Sequence, residues 1–153
     1  MARTPIKRHQ ALQGVSREHH HGLLLCWKIR TGISKKTAVE RIKAYVDWFY
    51  KTYLVPHFEF EERHIFPILG NDHPEVKKAL ADHRRLVRLF TSPDNSIKTL
   101  VQIEEELEQH IRFEERQLFN QIQQVANAVQ MDTIAKHHNN ETFNDNTHDP
   151  FWN

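Results

Sequence analysis

From Val46 to Ile68 the apolar residues Val46, Tyr50, Tyr53, Leu54, Phe58, Ile65 and Ile68 recur largely at three- and four-residue steps. That spacing marks one face of a helix and predicts a long one from about Ser34 to Leu69. Pro56 removes a backbone hydrogen bond inside it, which predicts a kink just before His57. Three more helices follow from the same periodicity and its stop signals. The first starts at Ser16, a residue suited to capping, and runs through "REHHHGLLLCWKIR" to about Thr31, where Gly32 ends it. "GNDHP" at 70–74 turns the chain into a third helix, with Pro74 in a first turn that needs no N–H from it. That helix reaches Phe90 and is broken by "TSPDNS"; the fourth begins at or just after Ser96 and extends to about Ala128 or beyond. Four helices with short connections predict an all-α fold, an up-down antiparallel four-helix bundle over residues 16–131. A basic arm (1–15) precedes it. A polar, Asn-rich tail (132–153) follows, expected to be mobile except where Phe151 and Trp152 pin it.

The second and fourth helices share more than a period. "HFEFEERHIF" at 57–66 and "HIRFEERQLF" at 110–119 agree at His, Phe, Glu, Glu, Arg and Phe. A weaker repeat sets "HHGLLLCW" (20–27) against "HRRLVRLF" (83–90), with His20 opposite His83. The chain thus reads as a tandem of two helix pairs, each offering one His from its first helix and a His-x-x-x-Glu from its second. Four-residue spacing puts His57 and Glu61 one turn apart on one face, and His110 and Glu114 likewise. Counted at about 100° per residue, the first pair aligns with Val46, Tyr50 and Ile68, the second with Ile103, Leu107 and Leu118. Those are the core stripes. A carboxylate buried there needs charge compensation, which a pair of cations between the helices would supply. A single His-x-x-x-Glu is commonly a surface pair; two copies on core stripes, with a His on each remaining helix, favour a site. Glu62, Arg63, Glu115 and Arg116 fall off the stripe and are expected to be solvated.

Composition removes competing explanations. Of 153 residues, twelve are histidines spread along the chain, the net charge is +1, and Cys26 is the single cysteine. Near-neutral charge gives no global pull towards nucleic acid or a membrane surface. No apolar run approaches the roughly 20 residues of a membrane span, and "MARTPIKRHQALQG" lacks the apolar segment of a secretory signal. One cysteine excludes an internal disulfide framework and Cys-rich zinc chemistry, and suits a reducing, cytoplasmic compartment.

The motifs "EHHHGLL", "HFEFEERHIFP", "DHRRL" and "HIRFEER", in that order over residues 18 to 116, resemble the hemerythrin family in its bacterial His–His–Glu cation-binding branch. The resemblance implies an up-down bundle around a non-haem di-iron centre. It makes His57 and His110 terminal ligands, Glu61 and Glu114 bridging carboxylates, and His83 the third-helix ligand. The first-helix ligand lies between His20, which the internal repeat favours, and His19, which the acidic-His dipeptide favours. His64, seven residues after His57 on the same stripe, is a further candidate, although Gln117 stands at the equivalent place in the second repeat. Imidazoles with carboxylates suit iron, with manganese or zinc as substitutes, and an oxide or hydroxide bridge would complete the charge balance. The family's oxygen carriers have a second third-helix His four residues on and a fourth-helix His-x-x-x-x-Asp. Here Val87 and His-x-x-x-Glu stand instead. The resemblance therefore implies binding of a diatomic ligand (O2 or NO) or handling of iron and redox stress. The alternatives are a peroxidase-like or NO-reducing di-iron enzyme, and a metal- or oxygen-sensing interaction module.

Overall fold

The computed structural model describes residues 7–153, so residues 1–6 of the basic arm lie outside it. Helix α1 spans Gln13–Ser34 and is led in by a 3-10 turn at Gln10–Leu12. It starts earlier than Ser16 because it continues directly from that 3-10 turn, which the His9 ring caps by accepting from the Ala11 N–H, while the Ser16 hydroxyl donates to Glu115 instead. Gly32 does not end it either. A Cβ there would lie 2.7 Å from the Phe151 ring and 2.9 Å from Ile42, so this glycine makes room for a packed segment rather than a stop.

The second rod begins with α2 (Val39–Phe49) and continues through a π-helical turn (Tyr50–Leu54) into α3 (Val55–Phe60). The widened turn sits where the Pro56 ring would otherwise press on the preceding carbonyls. A second π turn (Glu61–Ile65) and a 3-10 turn (Phe66–Ile68) complete the rod. Helix α4 spans Pro74–Phe90, capped by the His73 side chain. Helix α5 (Ile97–Phe113) runs through a third π turn (Glu114–Leu118) into α6 (Phe119–Val125). The chain breaks at Ala126 and restarts as α7 (Ala128–His137) behind an Asn127–Gln130 capping box. This helix crosses the boundary placed at 131/132. Among the described residues there is no strand, and no helix is long and apolar enough to cross a membrane.

The protein is a helical bundle whose α1 lies along α5, with α4 also against α5. Its apolar side chains form two clusters, one including Leu25, Ile29, Phe49, Phe90 and Leu107, the other Val15, Ile65, Phe66, Leu118 and Phe119. Along their own rods His19, Glu61, His83 and Glu114 each fall between these clusters. A polar layer is thus sandwiched in apolar packing, which is where it is most costly and where it must be compensated.

Residues 138–153 return across α1 and α2. Phe151 is 4% exposed. Lys28, itself buried, donates to Tyr45 Oη at 2.8 Å, pairs with Asp145, and lies 4.0 Å from the centre of the Trp152 ring. Two α1 glycines mark the track: Gly32 under Phe151, and Gly14, where a Cβ would meet the His138 ring at 2.6 Å.

Candidate metal centre

Six buried side chains converge in the polar layer: His19, His57, Glu61, His83, His110 and Glu114. Glu61 and Glu114 have no exposed surface at all. Within 4.8 Å of one another lie ligand-capable atoms of His19, His57, Glu61 and Glu114, and likewise of Glu61, His83, His110 and Glu114. Both carboxylates belong to both groups. His57 Nε2 is 3.1 Å and His83 Nε2 3.3 Å from Glu61 Oε1; His19 Nε2 is 2.9 Å and His110 Nε2 3.2 Å from Glu114 Oε1.

The local backbone explains part of this convergence. Each shared carboxylate is the first residue of a π turn, with the Phe66 N–H donating to Glu61 O and the Phe119 N–H to Glu114 O. Such turns cluster at functional sites because they insert a residue and re-aim the side chains around it. The same insertion carries His64 away. It is half-buried, stacks on His137 with ring centres 4.7 Å apart, and is outside both groups.

The first-helix position is His19. His20, which the internal repeat favours, is exposed. The repeat misleads by one residue because the side chains three and seven positions after His19, Gly22 and Cys26, are small though buried, while the larger Leu24 and Trp27 are 38% and 47% exposed. Gly22 must be small, since a Cβ there would meet Ile111 at 2.8 Å. Set against His83, His19 gives the matching buried phase: Gly22 with Leu86 and Cys26 with Phe90. His19→Ala should therefore abolish metal loading, and His20→Ala should leave metal content at the wild-type level, as read by elemental analysis of the purified variants. The opposite pair of results would mean the helix phase is wrong.

Behind the histidines stands a second set of carboxylates, of which Glu62 and Glu115 were expected to be solvated. His19 Nδ1 donates to Glu115 at 3.0 Å, His57 Nδ1 to Glu18 at 2.9 Å, His83 Nδ1 to Glu62 at 2.8 Å and His110 Nδ1 to Asp82 at 3.0 Å. A carboxylate accepts only, so each bond holds the proton on Nδ1 and leaves Nε2 to face Glu61 or Glu114. The pattern closes on itself. Helix α1 supports the second rod's histidine, that rod supports α4, α4 supports α5, and the π turn after α5 supports α1. Glu115 also takes a hydrogen bond from the Ser16 hydroxyl at 2.9 Å. The sequence signal was present in the acid beside each inward residue: Glu18–His19, Glu61–Glu62, Asp82–His83 and Glu114–Glu115.

Burial pulls the imidazoles of His57 and His110 down, but carboxylates more than offset it. Glu61 and Glu18 hold His57 at about 9, and Glu114 and Asp82 hold His110 at about 9. Burial likewise pushes Glu61 up, and His57, His19 and His83 together bring it well below the ordinary carboxylate range. The layer therefore holds protons where a cation would fit. Even so, Glu61 Oε1 and Oε2, Glu114 Oε2, His83 Nε2 and His110 Nε2 are buried without a well-formed hydrogen bond. Buried polar atoms left unsatisfied around two shared carboxylates in an apolar sandwich are what metal coordination satisfies once the protons leave, and a set of four imidazoles and two carboxylates suits a first-row transition metal.

The family model for the hemerythrin HHE cation binding domain matches residues 10–122. No curated protein and no solved structure matches the chain. The matched span holds all six converging side chains and ends before α7 and the returning segment. On these grounds the chain belongs to the hemerythrin HHE cation-binding domain family.

Proposed function

We propose that this protein holds two iron ions side by side in the polar layer and uses them to bind a diatomic ligand, O2 or NO, or to handle iron under redox stress. The observation that carries this reading is the double membership of Glu61 and Glu114: each sits in both four-residue groups, so each is positioned to be shared. His19 and His57 would serve one ion, His83 and His110 the other. The rods would run alternately up and down as an antiparallel four-helix bundle, supported by the short connections at 35–38, 69–73 and 91–96. With iron in place, the group supplies redox chemistry and an open coordination position.

What the chain's own residues do is more specific. Glu18, Glu62, Asp82 and Glu115 orient the four imidazoles and fix their tautomers. Phe58 stacks on the His83 ring with centres 3.9 Å apart, and Phe119 on the His19 ring at 5.3 Å, holding ring planes and excluding water. Tyr53 and Leu54 line a small cavity that opens onto His19, His57 and His110. Its walls are mostly apolar, which suits an uncharged diatomic molecule better than a polar substrate. A cytoplasmic location fits the single cysteine, and small-molecule rather than nucleic-acid or membrane partners fit the near-neutral charge.

Protein purified from iron-replete cells should contain close to two iron atoms per chain, measured by elemental analysis, with absorption in the near ultraviolet in the oxidised form. A stoichiometry near one, or zinc under every growth condition, would sink the di-iron reading.

A further inference from the structure

The cavity beside the histidines has a volume of about 20 Å³, enough for one water-sized molecule. One wall belongs to none of the four rods: it is Phe143, from the segment that returns after α7. The Phe143 ring stacks on His21 with centres 4.1 Å apart and lies 4.6 Å from the Tyr53 ring. On its other side is an outer pocket of about 320 Å³, lined by Arg17, His138 and Asn140. Glu18, His21, Tyr53 and Phe143 line both spaces. The aromatic ring is thus a partition between a roomy vestibule, more polar than the inner space, and a cavity that touches three of the four histidines.

We propose that Phe143 is a specificity-determining residue, the wall that limits access to the metal pair to linear molecules of two or three atoms. This rests on the reading of the polar layer as a metal centre. The partition is held firmly on both flanks. Next to it, the Asn144 N–H donates to Tyr53 Oη at 3.0 Å and the Tyr53 hydroxyl donates to Asn144 O at 3.2 Å. Two residues on, Asp145 joins Lys28 and Tyr45, and beyond that Phe151 fills the space above Gly32. Before it, His138 sits over Gly14 and lies 3.3 Å from Glu18. Glycine inside a helix costs roughly 1 kcal/mol against alanine. Its use at both contact points shows that α1 is shaped to receive this segment. The segment lies outside residues 10–122, so the wall comes from beyond the matched domain.

The test compares wild type with Phe143→Ala and Phe143→Leu, the second keeping an apolar wall should alanine loosen the segment. Iron-loaded wild type should bind azide, a linear ion, and exclude 4-methylimidazole, a ring. In Phe143→Ala the affinity for 4-methylimidazole should rise about tenfold or more at unchanged iron content, the scale of a steric pocket change. Phe143→Leu should lie between. Metal-free protein gives a second readout, acylation by diethyl pyrocarbonate mapped by mass spectrometry. His57 lines the cavity and His83 does not, so Phe143→Ala should raise labelling of His57 over that of His83 by about the same steric factor. Unchanged ring-versus-azide selectivity, or His57 and His83 rising together, overturns the proposal. Wild type that fails to take up iron would count against the metal reading alone, and the labelling ratio would still decide the role of the wall.

Discussion

Glu61→Ala should empty both metal positions rather than one, and Glu114→Ala should do nearly the same. Each carboxylate stands in both ligand groups, so its removal takes an oxygen donor from each ion. It also leaves imidazoles raised by that carboxylate without their acceptor: His57, His19 and His83 for Glu61, His110 and His19 for Glu114. Their neighbours should behave differently, though not neutrally. Glu62 and Glu115 do not reach the shared centre but orient His83 and His19. Alanine at either should weaken metal binding about 10- to 100-fold, as loss of an outer partner does, while stoichiometry at saturating metal stays near two. Iron content and competition titration of the four variants separate the cases. Equal stoichiometric loss from all four would deny the distinction between shared and orienting carboxylates. Full loss from Glu62→Ala with Glu61→Ala unaffected would overturn the site.

The second large effect belongs to the returning segment rather than to the polar layer. Phe151→Ala should destabilise the protein by about 3–5 kcal/mol, the range for deleting a buried phenyl ring. At roughly 2–4 °C per kcal/mol for a chain of this size, the thermal midpoint should fall by about 10 °C. The ring is 4% exposed, sits against Gly32 and Ile42, and holds the segment that carries Trp152 over Lys28. A midpoint that does not move would mean that residues 138–153 are a free tail. The same measurement on Phe143→Ala should show a smaller fall, because that ring is only half-buried.

Five of the six converging residues were legible in the sequence because bulky apolar neighbours mark the phase of the helices that carry them. Val46 and Tyr50 point to His57 and Glu61, Ile103 and Leu107 to His110 and Glu114, Leu86 to His83. On α1 that signal is blurred, since Gly22 and Cys26 are small and the bulky Leu24 and Trp27 face outwards, although Val15, Leu25 and Ile29 are buried. The orienting acids were hidden for another reason. Glu62 lies off the core stripe and is 45% exposed along its side chain, yet one oxygen reaches His83. Side-chain polarity hid the returning segment. "NNETFNDNTHDPFWN" has too few apolar residues to show a period, and its anchors are single aromatic rings and a buried lysine supplied by α1. The two π turns at the site left no mark beyond the repeated Glu-Glu-Arg, a string that reads equally well as ordinary helix.

The closed circuit of imidazole–carboxylate bonds also bears on how the rods find their vertical alignment. Apolar ridges tolerate sliding, because a leucine displaced by one turn, about 5.4 Å, can meet another leucine. Bonds of 2.8–3.0 Å cannot be remade after such a slip. Each rod both gives a carboxylate to one neighbour and receives one from another, so a single misplaced rod breaks two links and strands two buried imidazoles. Misregistered bundles are thereby raised in energy above the aligned one without any extra packing in the aligned state. The circuit acts as a vernier: it selects one axial setting of four interchangeable-looking helices before any ion arrives.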